Sequence, residues 1–139
     1  IKITNEHIKM WNVNEFDLWD AARANINPNK YNFTTEFMYP LHVLADKEGV
    51  YGAALILADG CVEKFADEVD SDLWLLPSSI HEWIAVPTNE YFDWESLEQM
   101  IQDINRTLVD ATEVLSEHPY FYERKNGVLR DKLGNAYKL

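Results

Sequence analysis

The 139-residue sequence contains a single cysteine, Cys61. That excludes an intramolecular disulfide and a multi-cysteine zinc site, and it fits a reducing compartment. Basic residues are also scarce, with 12 Lys and Arg against 24 Asp and Glu and a net charge of −12. Nucleic-acid binding and adhesion to anionic membranes both need clustered cations, so neither is expected. The charge favours solubility, with a basic partner as the alternative. No apolar run approaches the length of a membrane span, and no basic segment precedes a short apolar one, so a cytoplasmic location is expected. Repeats, low-complexity tracts and linkers are missing. The chain begins at Ile1 instead of Met, as expected of the C-terminal part of a longer protein.

What is present is ordinary globular composition, 47% apolar and 26% charged, with 13% aromatic residues. The length suits one domain spanning residues 1–139. Thr4 is placed to cap a short helix carrying Ile8 and Trp11, and Asn12 to end it in the left-handed region. Asn14 and Asp17 form a capping-box pair ahead of Phe16, Trp19, Ala22 and Ile26, which share one helical face. Pro28-Asn29-Lys30 and the polar stretch to Thr35 read as loop. Residues 37–45 read as a strand, with Pro40 marking an edge or bulge, and residues 50–58 as its partner across the Asp46-Lys47-Glu48-Gly49 turn. Gly52-Ala53-Ala54 implies close packing.

A helix follows from Asp59-Gly60, with Val62, Phe65, Ala66 and Val69 on one stripe. Leu73 to Leu76 and Trp83 to Val86 read as core strands, the first ending at Pro77. Asp93 caps the clearest helix, on which Leu97, Met100, Ile101, Ile104 and Leu108 should face the sheet. Asp110 and Glu113 suggest a further short helical segment. Asn126-Gly127 signals a terminal type I′ hairpin, and the residues after Asp131 read as a loose tail. The expected fold is α+β, in the order α-β-β-α-β-β-α plus a C-terminal hairpin, with an antiparallel sheet covered by helices on one face.

The densest group of reactive side chains lies between the two core strands: Ser78, Ser79, His81 and Glu82. These residue types compose a nucleophile, a base and an orienting acid. Such sets draw on separate segments, however, and side chains within one tight turn do not align that way. No Gly-x-Ser-x-Gly elbow supports them. Hydroxyl-to-backbone bonds that build a turn explain Pro77-Ser78-Ser79 more simply. His7, His42 and His118 are scattered and include no His-Glu-x-x-His, so no metal site and no cofactor are expected. The carboxylates Glu63, Asp67, Glu68, Asp70 and Asp72 lack the pattern of a calcium loop and read as a solvated helix face.

Trp83 in the central hairpin, with Tyr120 and Tyr122 near the end, makes a candidate contact surface. Alternation sends Tyr120 and Tyr122 to one sheet face and Phe121 to the other, so a partner or a covering helix is needed on each. A non-catalytic interaction module is therefore the leading functional expectation. Its partner would be the chain's own N-terminal region or another protein, and its oligomeric state is open. A hydrolase using the Ser78, Ser79, His81 and Glu82 turn is the alternative.

The segment Asp72-Leu73-Trp74-Leu75-Leu76-Pro77-Ser78-Ser79-Ile80-His81-Glu82 resembles the DUF5688 family of uncharacterised bacterial proteins, which reads there as a leucine-rich strand followed by Pro-Ser-Ser-Ile-His-Glu. Gly52-Ala53-Ala54 and Val114-Leu115-Ser116 resemble it too, and the similarity runs from Ile3 to about Tyr122. Asn12, where a Gly is usual, departs from the pattern, as do Pro40, His42 and Trp83. The resemblance implies a preceding N-terminal portion and brings no activity, substrate or cofactor. A fainter similarity connects the opening helix and the strand pair to the DUF1444 family.

Overall fold

A computed structural model describes residues 3–26, 31–34, 40–88 and 91–139. The expected loop at 28–30 and the first part of the expected strand, 37–39, lie outside the described residues. The fold is α+β. Helices α1 (Asn5–Trp11) and α2 (Glu15–Asn25) come first, followed by strands β1 (Tyr31–Thr34) and β2 (His42–Asp46). A 3-10 helix (Gly52–Leu57) leads into α3 (Cys61–Glu68), then β3 (Leu73–Ser79) and β4 (Glu82–Pro87). Helix α4 (Trp94–Thr107) and strands β5 (Tyr120–Glu123), β6 (Val128–Arg130) and β7 (Ala136–Lys138) complete the order. Among the described residues the strands form one antiparallel seven-stranded sheet in the order β1-β2-β4-β3-β5-β6-β7.

Alternation along the central strands divides the core in two. Leu73, Leu75, Trp83, Ala85, Leu44 and Tyr122 face the side covered by the 3-10 helix and by Cys61, Val62, Phe65 and Ala66 of α3. Trp74, Leu76 and Val86 face the other side, where Leu97 and Ile101 of α4 pack on them. Helices therefore cover both faces and not the single face expected, because β3 and β4 are apolar on both sides and each side must leave water. On the α4 side, Trp74 meets Trp94 and Phe121 edge-on, with ring centroids 4.8 and 5.0 Å apart. Asp93 caps α4 through the Ser96 N–H at 2.8 Å. Ile101 is buried and Ile104 half-buried, but Leu108 is 81% exposed because it sits past the last helical turn.

Several expected elements differ. Residues 52–57 are 3-10 helix and not a return strand, because β2 already has β1 on one edge and β4 on the other. Buried Gly52-Ala53, Leu55-Ile56 and Ala58 recur every three residues, which suits the 3-10 period. Strand β1 forms where loop was expected. Strand β3 runs past Pro77 to Ser79, since the register shifts between Leu76 and Ser79 and β5 pairs only with Leu73 to Leu75. Pro77 thus sits at a bulge, where no ladder needs its missing N–H. The Asp110–Glu113 stretch is a turn, with the Asp110 carboxylate accepting the Thr112 N–H at 2.8 Å. The terminal hairpin has a four-residue loop between Glu123 and Val128 with only Gly127 left-handed, so it is not type I′. The supposed loose tail contains β7, held to β6 in register, with Leu129 opposite Tyr137.

Helices α1 and α2 have the expected caps. Asp17 N–H donates to Asn14 Oδ1 at 3.0 Å, and Asn12 ends α1 at φ 53°. Neither helix has a buried residue.

Gly52 is the tightest joint in the fold. A Cβ there would lie 2.3 Å from the Asp46 backbone nitrogen and 2.6 Å from the His81 carbonyl oxygen. Backbone cannot yield at such distances, so Gly52→Ala should cost about 3 kcal/mol in urea denaturation. Leu108→Ala should cost less than about 0.5 kcal/mol. Comparable losses for the two variants would contradict this packing.

Candidate functional site

The turn between β3 and β4 consists of Ile80 and His81, with Ser79 opposite Glu82. Neither turn residue has a positive φ, so the twist match of the usual two-residue hairpin is missing and other contacts must hold the turn. They come from both sides. Ile80 N–H donates to the Glu113 carbonyl at 2.9 Å, and Ala53 N–H donates to the Ile80 carbonyl at 3.3 Å. The Trp83 indole N–H adds a bond to the Ala53 carbonyl at 3.0 Å.

His81 completes the joint. Its Nδ1 accepts the Tyr51 backbone N–H at 3.0 Å, which places the imidazole proton on Nε2. Nε2 in turn lies 3.2 Å from the Glu113 carboxylate. The Tyr51 ring stands tilted against the imidazole with centroids 5.3 Å apart, and Tyr51 itself is left-handed at φ 55°. Ser79 Oγ accepts the His81 N–H at 3.1 Å, the hydroxyl-to-backbone bond expected of a turn serine. Ser78 Oγ reaches Glu82 Oε1 at 3.5 Å. The turn thus brings Ser78 together with Glu82, but no serine oxygen is paired with an imidazole nitrogen among the described residues. The joint binds segments of the chain to one another, and both nitrogens of its imidazole are engaged by Tyr51 and Glu113.

The candidate aromatic surface is placed differently from the expectation. Trp83 and Tyr122 are buried, and Tyr120 is half-buried with its ring 5.9 Å from that of Trp83. They belong to the core under the 3-10 helix and α3, which cover this sheet face, so none of the three forms an open surface. Met10, Trp11, Phe16 and Trp19 on α1 and α2 are among the exposed apolar side chains, with Tyr51, Tyr91, Leu108 and Leu133 exposed elsewhere.

The other histidines are apart from one another. His7 Nδ1 accepts the Thr4 N–H at 3.0 Å, and His118 Nδ1 lies 2.6 Å from Glu98. His42 stands edge-on to Phe65, where burial holds its pKa down. Among the described residues no group of three His, Cys, Asp or Glu could hold a metal ion, and no helix is long and apolar enough to cross a membrane. Three carboxylates in and just after α3 serve the fold: Asp67 and Asp70 pair with Arg124, and Asp72 accepts the Arg124 backbone N–H at 2.8 Å. Burial pushes the Cys61 thiol up to about 12, with a smaller opposing effect of Lys64.

Sequence reasoning missed Tyr51, Glu113 and Asn105. Asn105 is buried and donates to the Ser116 carbonyl at 3.0 Å, securing the 109–117 loop that brings Glu113 to the turn. The small-residue run at Gly52 was the one signal of this joint in the sequence.

These features define a class, an α+β domain built on one mixed-length antiparallel sheet whose central turn is a structural joint. The chain belongs to the DUF5688 family, a family of unknown function whose model matches residues 26–124. The match begins where α2 ends, so α1 and α2 precede it, and it is shorter at that end than the resemblance suggested. No curated protein and no solved structure matches the chain.

Two outcomes check the site. His81→Ala removes the acceptor for the Tyr51 N–H and should cost about 1 kcal/mol, while His81→Asn, whose side-chain oxygen falls near the Nδ1 position, should recover roughly half. Equal losses would mean that the bond to Tyr51 contributes nothing. Because thiolate is the reactive form and the Cys61 value lies near 12, the folded protein at pH 8 should resist a thiol reagent that labels the urea-unfolded chain at once. Fast labelling of the native protein would disprove the burial of Cys61.

Proposed function

We propose that this chain is a non-catalytic protein-interaction module of the bacterial cytoplasm, and that α1 and α2 present its contact surface. The observation that supports this is the set of apolar side chains these helices leave in water: Phe16 is 80% exposed, Met10 70% and Trp19 53%. Aromatic and methionine side chains are enriched at interface hot spots, and holding several of them in water on one helical pair is unfavourable unless a partner covers them. The partner is another protein or a further part of the same polypeptide. A hydrolase reading has less support, since it needs a serine–imidazole pair and His81 already has both nitrogens engaged.

A photo-crosslinking residue placed at Phe16 or Trp19 in cells should give a discrete adduct, while the same residue at Gln99, exposed on α4, should give none. No adduct at either helix position, or equal adducts at Gln99, would overturn the assignment of this surface. A fluorophosphonate probe should leave Ser78 and Ser79 unlabelled in the folded protein. Labelling of either serine that disappears on unfolding would restore the hydrolase.

A further inference from the structure

A groove of about 680 Å³ lies between the end of α4 and the 109–117 loop. Val109, Ala111 and Val114 supply its apolar lining, and no residue of α1 or α2 takes part. The loop is held from several directions. Asp110 accepts the Thr112 N–H at 2.8 Å, and the Glu113 carbonyl accepts the Ile80 N–H at 2.9 Å. The Ser116 carbonyl accepts from Asn105 Nδ2 at 3.0 Å. The groove is therefore formed before anything enters it.

Asn105 lines this groove from α4 and is only 7% exposed. Its Oδ1 is buried and has no hydrogen-bond partner among the described residues. A buried polar atom left unpaired costs free energy, so one that persists in a folded protein marks a missing partner. Exchanging the two ends of the amide would set Oδ1 against the Ser116 carbonyl oxygen, so the unpaired atom is an acceptor and needs a donor. Ser116 is not part of the lining, which leaves the oxygen as the polar end turned to the groove. The exposed carboxylate of Glu117 lines the same groove and has no ion-pair partner among the described residues. Arg106 is the cation of the lining, and Asp103 neutralises it at 2.7 Å.

We propose that this groove binds the ammonium group of a small primary aliphatic amine. An ammonium has three donors and no acceptor, which suits the neutral Asn105 oxygen and the Glu117 carboxylate together. A hydroxyl or a neutral amide would satisfy Asn105 and leave Glu117 unpaired. An anion would satisfy neither. The alkyl chain lies along Val109, Ala111 and Val114, leaving water as it does so. The net charge of −12 draws cations towards the whole molecule.

Amide spectra of the 15N-labelled protein, titrated at pH 7 with n-butylammonium chloride, test the site. Tetramethylammonium chloride, a cation without a donor, and butan-1-ol, a donor without charge, are the controls. Saturable shifts of the Val109 and Val114 amides and of the Asn105 side-chain NH2 are expected with n-butylammonium. Tetramethylammonium should leave the Asn105 side chain unmoved, and butan-1-ol should bind about fivefold more weakly. Glu117→Gln, a surface change, should weaken n-butylammonium binding about threefold. Asn105→Ala should abolish it. If Asn105→Ala unfolds through loss of the bond to Ser116, Glu117→Gln and the two controls still decide. Absence of saturable shifts would mean that water alone serves Asn105, and would overturn the proposal. So would an equal response to either control, or an affinity unmoved by Glu117→Gln. Tighter binding of Nα-acetyl-lysinamide than of n-butylammonium would overturn the free amine in favour of a lysine side chain.

Discussion

The bond from the Tyr51 N–H to His81 Nδ1, with those between Ala53 and Ile80 and between Trp83 and Ala53, ties the 3-10 helix to the β3–β4 turn. Strands β3 and β4 meet at Ile80-His81, and that turn lacks the backbone geometry that closes a two-residue hairpin by itself. Closure comes instead from the 3-10 helix on one side and the 109–117 loop on the other, through Ala53, Tyr51 and Glu113. Gly52 is what lets the two backbones approach closely enough for these bonds to form. The hydrogen bonds are individually modest, but each pairs a group whose isolation in a packed joint would be costly.

From this joint the layering follows. The sheet is apolar on both sides at its centre, so the 3-10 helix with α3, and α4 opposite, each supply a cover. Trp83 and Tyr122 belong to one layer, and Trp74 and Phe121 to the other, in agreement with the alternation of neighbouring residues along β4, β3 and β5. The two N-terminal helices stand outside this arrangement, and the family match stops short of them too.

Patterns confined to one element were legible in the sequence. The α4 stripe, the Asp93, Asn14 and Thr4 caps, the left-handed Asn12 and the two central strands all depend on neighbours within a few residues. Features set by distant segments were not legible. Residues 50–58 have strand-like composition, and only the occupation of both β2 edges forces them into a 3-10 helix. Pro77 reads as a terminator until the register shift beside it is known. The grouping of Ser78, Ser79, His81 and Glu82 was visible, but its meaning depended on Tyr51 and Glu113, about thirty residues away on either side. Nothing local to those two residues marks them. The exposed tryptophans and Trp83 look alike in composition, and burial alone separates a core residue from a contact residue.

Strand β7 gives the sheet a blunt edge. It is only three residues long, is exposed along its length, ends at Lys138, and follows a left-handed Gly134 at φ 87°. An open seven-stranded sheet has two rims on which another chain could continue the ladder, and a long flat rim templates aggregation. A three-residue strand beside a sharp turn offers too short a template for a stable intermolecular ladder, and a charged ammonium near its end discourages stacking. Loss of these last residues would leave β6, with its half-buried Val128 and buried Leu129, as the new rim. At this rim the ladder thus offers a neighbouring strand little to pair with.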